Sequence, residues 1–235
     1  MNHSMNDTTE AQTSKKRIAI DIKLSPTEIR KYVAEIFGTF LLATVVVLIS
    51  SSGLQGITPV FAAIIIGLAV YTLGSISGAH INPAVTLGAL SIGKISPKDT
   101  VGYVVSQFIG GALALILAAF FMKGSISFDQ AQIVLSETFT SSQAIAMFLA
   151  ETLGAVVFMF GIASVLYGKV HAAAGGVVIG GSVLIGAYLA AIAGAAGLLN
   201  PAIAFSVGSL NIIYGLAPIV GSVIGMNLYK VLKRD

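Results

Sequence analysis

"SISGAHINPAVTLG", Ser75 to Gly88, stands between two long apolar runs, and its Asn-Pro-Ala returns at Asn200, Pro201 and Ala202. Proline suits the first turn of a helix, where its missing N–H leaves no bond unmade. Asparagine immediately before it is a good N-cap. Asn82 and Asn200 therefore predict two short helices, Pro83–Ser91 and Pro201–Leu210. Both segments are too apolar for solvent and too short to span a bilayer. Each is read as a segment that dips into the membrane and leaves on the side it entered. Irregular backbone at that depth is tolerated only where protein buries it or where it lines a wet cavity.

The rest of the chain agrees with a membrane setting. Its 235 residues are 56% hydrophobic and only 10% charged, against about 25% charged in soluble domains. Tyr32–Ser50, Ile57–Ser75, Thr100–Phe121, Ser142–Tyr167, Gly175–Ile192 and Ile212–Leu232 read as six spans. Six spans place both termini on one side. Of the 13 lysines and arginines, all but Lys123 fall in the terminal segments and the second and fourth connections. The positive-inside rule then makes both termini cytoplasmic, in an integral multi-pass protein of the cell membrane. Residues 1–30 read as a partly disordered cytoplasmic tail without a signal peptide. Residues 31–235 read as one channel-like domain with repeat halves at 31–122 and 142–232.

The halves resemble each other. "AEIFGTF" from Ala34 matches "AETLGAV" from Ala150, and "YVVSQFIGG" from Tyr103 parallels "YGLAPIVGS" from Tyr214. Three spans per half is an odd number, so the second half must be inverted in the membrane. Inverted repeats place a site at the bilayer midplane, flanked by broken helices. The two half-helix N-termini would meet there head to head, each carrying roughly half a positive charge. That arrangement repels cations and leaves the Asn82 and Asn200 side chains free to donate into a lumen. The fold class is thus all-α: six transmembrane helices plus two re-entrant half-helices.

Other polar residues in the spans have two readings each. His80 could relay protons or hold a metal, but two residues before a helix cap it reads better as a hydrogen-bonder fixing the loop. Glu35 and Glu151 would be proton carriers in a transporter. Their repeat-related positions favour carboxylates that accept hydrogen bonds from unwound loop backbone. There is no cysteine, no metal-ligand spacing, no cofactor motif and no nucleophile–base pair, so nothing points to an enzyme. Scattered basic residues form no patch for nucleic acid.

With "AEIFGTFLL", "SGAHINPAVTLG", "AETLG" and "LLNPAIAF" in this order and spacing, the chain resembles the aquaporin and aquaglyceroporin family, the major intrinsic proteins. The resemblance implies one pore per protomer, homotetramers in a lipid bilayer, and Pro83, Ala84, Pro201 and Ala202 as part of the pore motifs. It also implies a selectivity constriction at Ala62, Tyr188, Gly197 and Ile203. Most members have arginine where this chain has Ile203, so the constriction should be wider and more apolar than a water-selective one. Tyr214 resembles the water-channel branch. The expected function is a passive channel for water and small uncharged solutes such as glycerol, urea, ammonia or peroxide. The alternatives are a proton-coupled transporter working through Glu35 and Glu151, and a structural membrane protein that does not conduct.

Overall fold

The computed structural model describes residues 24–122 and 142–233. In chain order its α-helices are α1 (Pro26–Ser51), α2 (Thr58–Ser77), α3 (Pro83–Ser91), α4 (Pro97–Phe121), α5 (Ser142–Leu166), α6 (Gly175–Ile192), α7 (Pro201–Ser206) and α8 (Ile212–Leu232). Short 3₁₀ turns at Gln55–Ile57 and Ala172–Ala174 lead into α2 and α6. Among the described residues, six helices are long and apolar enough to cross a membrane: α1, α2 with its leading turn, α4, α5, α6 with its leading turn, and α8. The other two, α3 and α7, are the short helices that begin at the two prolines.

Local chemistry sets the ends. Two spans start earlier than hydropathy alone suggests. Ser25 caps α1 through the Glu28 N–H while the Glu28 carboxylate reaches back to the Ser25 N–H, a capping box with Pro26 in the first turn. Residues 26–30, read as tail, are therefore helix, and residues 1–23 lie outside the described part. Ser96 likewise caps α4 through the Asp99 N–H, moving its start from Thr100 to Pro97. At the other end of a span, α5 stops at Leu166, one residue short of the expected Tyr167. The connection from Lys123 to Ser141 also lies outside the described residues.

The second half-helix is shorter than expected, ending at Ser206 instead of Leu210. Gly208 adopts φ +69°. Its N–H returns to the Phe205 carbonyl at 3.1 Å, and the Ser209 N–H returns to Ala204 at 2.8 Å. That pair of bonds is a Schellman stop, which only an αL residue permits at low strain. Gly93 (φ +76°) ends α3 in the same way, with bonds from Gly93 to Leu90 and from Lys94 to Ala89.

The packing carries the inverted repeat. In the first half α1 packs on α2 and α4; in the second, α5 packs on α6 and α8. The halves join where α2 meets α6, and each short helix crosses over: α3 lies on α8, and α7 lies on α4. Helices in lipid gain little from the hydrophobic effect against one another, so close contact of small residues supplies the attraction. Gly154 and Gly186 illustrate this: a methyl group on either would strike the other's carbonyl oxygen. A pair exchange marks the crossings. On the α3–α8 contact Gly88 faces Ser222, whereas on the α4–α7 contact Gly111 faces Ser206. Ser222 Oγ donates to the Ala84 carbonyl at 2.6 Å, and Ser206 Oγ donates to the Ala202 carbonyl at 2.8 Å. One hydroxyl therefore reaches the same carbonyl of each half, from opposite sides of the contact.

Candidate functional site

The site is built on the two asparagines. Asn82 and Asn200 have extended backbones and cap α3 and α7. Asn82 Oδ1 accepts from the Ala84 N–H at 2.8 Å, and Asn200 Oδ1 accepts from Ala202 at 3.0 Å and Ile203 at 3.4 Å. Their amide nitrogens are not both left free, as the sequence suggested. Asn82 Nδ2 donates to the Leu199 carbonyl at 2.9 Å, and Asn200 Nδ2 donates to the Ile81 carbonyl at 3.0 Å. Each amide has two hydrogens, so one per asparagine is spent on the opposite loop and one remains for the lumen. Loop-to-loop contact at the midplane requires that exchange, because a bare carbonyl there would have no partner.

The residues that precede the asparagines are strained. Ile81 has φ +42° and Leu199 φ +51°, a region that side chains other than glycine's enter at a cost of order 1–3 kcal/mol. Each is held by its own half's glutamate. Glu35 accepts from the Ile81 N–H at 2.6 Å and the His80 N–H at 2.9 Å. Ser77 Oγ (2.6 Å) and Gln107 Nε2 (2.8 Å) complete its shell. Glu151 accepts from the N–H groups of Gly197 (2.6 Å), Leu198 (3.1 Å) and Leu199 (3.0 Å). Both carboxylates are fully buried, and every bond they accept comes from the loops or from side chains facing them.

The two supports differ in one respect. In the first half a polar cluster surrounds the glutamate. Gln107 Nε2 also donates to Thr86 Oγ1 at 2.9 Å, and that hydroxyl donates to the Asn82 carbonyl at 3.1 Å. Since the hydroxyl has one hydrogen, His80 Nδ1, 3.2 Å away, is assigned as the donor to it. The His80 ring stands edge-on to Tyr103, whose Oη donates to the Ser77 carbonyl at 2.6 Å. In the second half Glu151 meets backbone alone, and Tyr214 Oη accepts from the Ala196 N–H at 3.2 Å. Gln107, Thr86, Ser77 and Tyr103 were not singled out from sequence. A lone glutamine inside a span, as in "YVVSQFIGG", was the available signal.

Two cavities open on opposite sides of the asparagines. One, of about 430 Å³, is lined by Ala62, Tyr188, Gly197 and Ile203 together with Val183, Ala187 and Ser209. The other, of about 290 Å³, is lined by His80, Gly78, Val85, Ile162, Leu166 and Ile179. Asn82, Asn200, Leu42, Ile66 and Phe158 belong to both. The four positions named for the constriction thus face one vestibule. Tyr188 Oη is already committed, donating to the Gly56 carbonyl at 2.8 Å. Gly197 has φ +67°, and a methyl group there would strike the Ala187 carbonyl. Ile203 is 3% exposed. Among the described residues, no charged side chain lines either cavity. Among the described residues, no group of acidic, histidine or cysteine side chains could hold a metal ion.

A model of the family described as "Major intrinsic protein" matches residues 22–229. Aquaporin Z of Rhodopseudomonas palustris is 30% identical over 227 residues, which cover 87% of this chain and 94% of that protein. Aquaporin NIP1-2 of Arabidopsis thaliana is 29% identical over 227 residues, covering 90% of this chain and 77% of its own. Among solved structures, the aquaglyceroporin from Plasmodium falciparum superposes with a TM-score of 0.67 at 21% identity, over 87% of this chain and 96% of that one. That likeness is one of fold.

Proposed function

We propose that this chain, which belongs to the major intrinsic protein family, conducts water and small uncharged solutes passively along the path joining its two vestibules. Membership makes it a non-enzymatic membrane channel for water or small solutes; the choice of solutes is our reading. The observation that carries it is the pair Asn82 and Asn200, shared by both cavities and each with one amide hydrogen unspent. A solute passing there exchanges water for these donors, while the N–H ends of α3 and α7 disfavour cations.

The vestibule beside Ile203 supports passage of more than water. Pore width and lining donors set selectivity. Here Ala62 and Gly197 leave room, Ile203 supplies no charge, and the Tyr188 hydroxyl hydrogen is held by Gly56. Small neutral molecules with some apolar surface, glycerol, urea, ammonia and peroxide among them, fit such a lining. The proton-coupled alternative draws no support from Glu35 and Glu151, whose oxygens are occupied by loop N–H groups and, at Glu35, by the Ser77 and Gln107 side chains. We further propose a homotetramer in the cell membrane with both termini cytoplasmic, from the resemblance and the distribution of lysine and arginine.

Stopped-flow light scattering on proteoliposomes tests the reading. Water and then glycerol gradients should collapse faster than in protein-free vesicles, with no dependence on a pH gradient. Flux at the protein-free rate for both solutes, or flux that needs a proton gradient, would remove it.

A further inference from the structure

The two vestibules meet without merging, and the residues they share mark where the passage narrows. Those residues are Asn82, Asn200, Leu42, Ile66 and Phe158. One edge of this neck cannot retreat, because each asparagine is bonded both to its own half-helix and to the opposite loop. The width of the neck is therefore left to the three apolar side chains.

Two of the three hold equivalent places in the repeat. Leu42 lies seven residues after Glu35 on α1, and Phe158 seven residues after Glu151 on α5. Seven residues is close to two helical turns, so each shares a helix face with the glutamate that supports its loop. Both are 2% exposed and belong to one packed core with Ile66. Close-packed side chains yield little, so neither swings aside for a solute. The first half supplies a leucine and the second a phenylalanine, whose ring is the larger. The outer ring is built differently. Ala62 and Gly197 carry a methyl group and a hydrogen, and the Tyr188 hydroxyl is tied to Gly56. The vestibule they line holds about 430 Å³, against about 290 Å³ on the other side. A passage that is roomy at its mouth and rigid at its middle sorts by size at its middle.

We infer that Phe158 sets the largest solute this pore passes, and that the size limit lies at the membrane midplane instead of at Ala62, Tyr188, Gly197 and Ile203. The inference rests on the reading of the path as a passive conduit. The outer ring becomes limiting only where a bulkier side chain is put into it.

The ratio of glycerol to water permeability in matched proteoliposomes of the full chain tests it. Phe158→Leu gives both halves the same residue and widens the neck. Forcing a solute through a packed space overfilled by about one carbon slows it roughly tenfold, so the ratio should rise by about that factor. Phe158→Met, nearer in volume, should shift the ratio the same way by less, and it decides the question should the leucine variant fail to insert. Ile203→Ala, which enlarges the outer ring, should raise the ratio far less than Phe158→Leu. Exchanging the pair, Leu42→Phe with Phe158→Leu, keeps the volume of the neck and should bring the ratio back toward that of the unsubstituted chain, a recovery that a purely structural role for Phe158 would not give. A ratio unmoved by both Phe158 variants while water still flows would overturn the inference, as would an equal rise with Ile203→Ala. Absence of both fluxes in the unsubstituted chain would remove the conduit reading, and this inference with it.

Discussion

Ile81 and Leu199 occupy equivalent places in the two halves, each giving its N–H to its own half's glutamate and its carbonyl to the opposite half's asparagine. Each strained residue is therefore clamped from both sides, and the two clamps close only together. The loops behave as one mechanical unit at the centre of the membrane.

That unit makes Asn82→Asp and Asn200→Asp informative. A carboxylate cannot donate to the opposite carbonyl, so each variant leaves Leu199 or Ile81 without its partner and sets oxygen against oxygen. The expected loss is about 1–3 kcal/mol of stability, with a new leak of sodium or protons because negative charge now offsets the α3 and α7 ends. Thermal unfolding in detergent and ion flux in proteoliposomes measure the two effects. Unchanged conductance in both variants would count against a central cation barrier.

The glutamates should respond unequally. In Glu151→Gln the new NH2 group must face a backbone N–H, because Gly197, Leu198 and Leu199 offer nothing that can turn round. At Glu35 the NH2 also meets one backbone N–H, of His80 or Ile81, but it gains an acceptor, because the Ser77 hydroxyl can rotate to accept and Gln107 can turn its amide to present Oε1, which has no partner now. Glu151→Gln should therefore lower the melting temperature more than Glu35→Gln does. Neither should alter the pH dependence of flux.

Two glycines separate conformational strain from collision. Gly194 (φ +93°) has nothing within 4 Å of an added methyl group, whereas Gly197 (φ +67°) would drive one into the Ala187 carbonyl. Gly194→Ala should lose only the αL penalty, roughly 1–2 kcal/mol. Gly197→Ala should lose clearly more and reduce flux, since the collision lies in the vestibule wall. Equal losses of stability would mean that the wall at Ala187 yields freely.

Ile203→Arg would place a charge and five donors in the vestibule, in space that Ala62 and Gly197 leave open. A charge facing lipid is expensive, but one in a wet pore stays solvated, so the variant should fold. Glycerol permeability should fall much more than water permeability. Matched stopped-flow traces give the ratio, and an unchanged or higher ratio would mean that Ile203 does not limit passage.

Much of this fold was legible because capping chemistry is local. Asn-Pro announced the first turns of α3 and α7 without knowledge of their neighbours. The box Ser25-Pro26-Thr27-Glu28 was equally local, yet hydropathy alone placed the start of α1 six residues late, at Tyr32. The stop at Gly208 was hidden by the apolar run to Leu210. The asparagine exchange could not be read at all, because it joins residues 117 and 119 positions apart through a crossing that only the packed halves create. For the same reason Tyr188 could be placed on the vestibule, but not its tie to Gly56.

The crossing of the short helices also bears on the order in which the chain is made. Residues up to 122 emerge with their Asn-Pro-Ala segment complete in sequence, but the donors to the Ile81 and Ala84 carbonyls are Asn200 and Ser222. Until Asn200 arrives, a newly inserted first half holds the unwound Ile81 carbonyl at membrane depth, where lipid cannot satisfy it. Half a gene would therefore not make half a pore. The first motif stays unfinished until α8 closes over it.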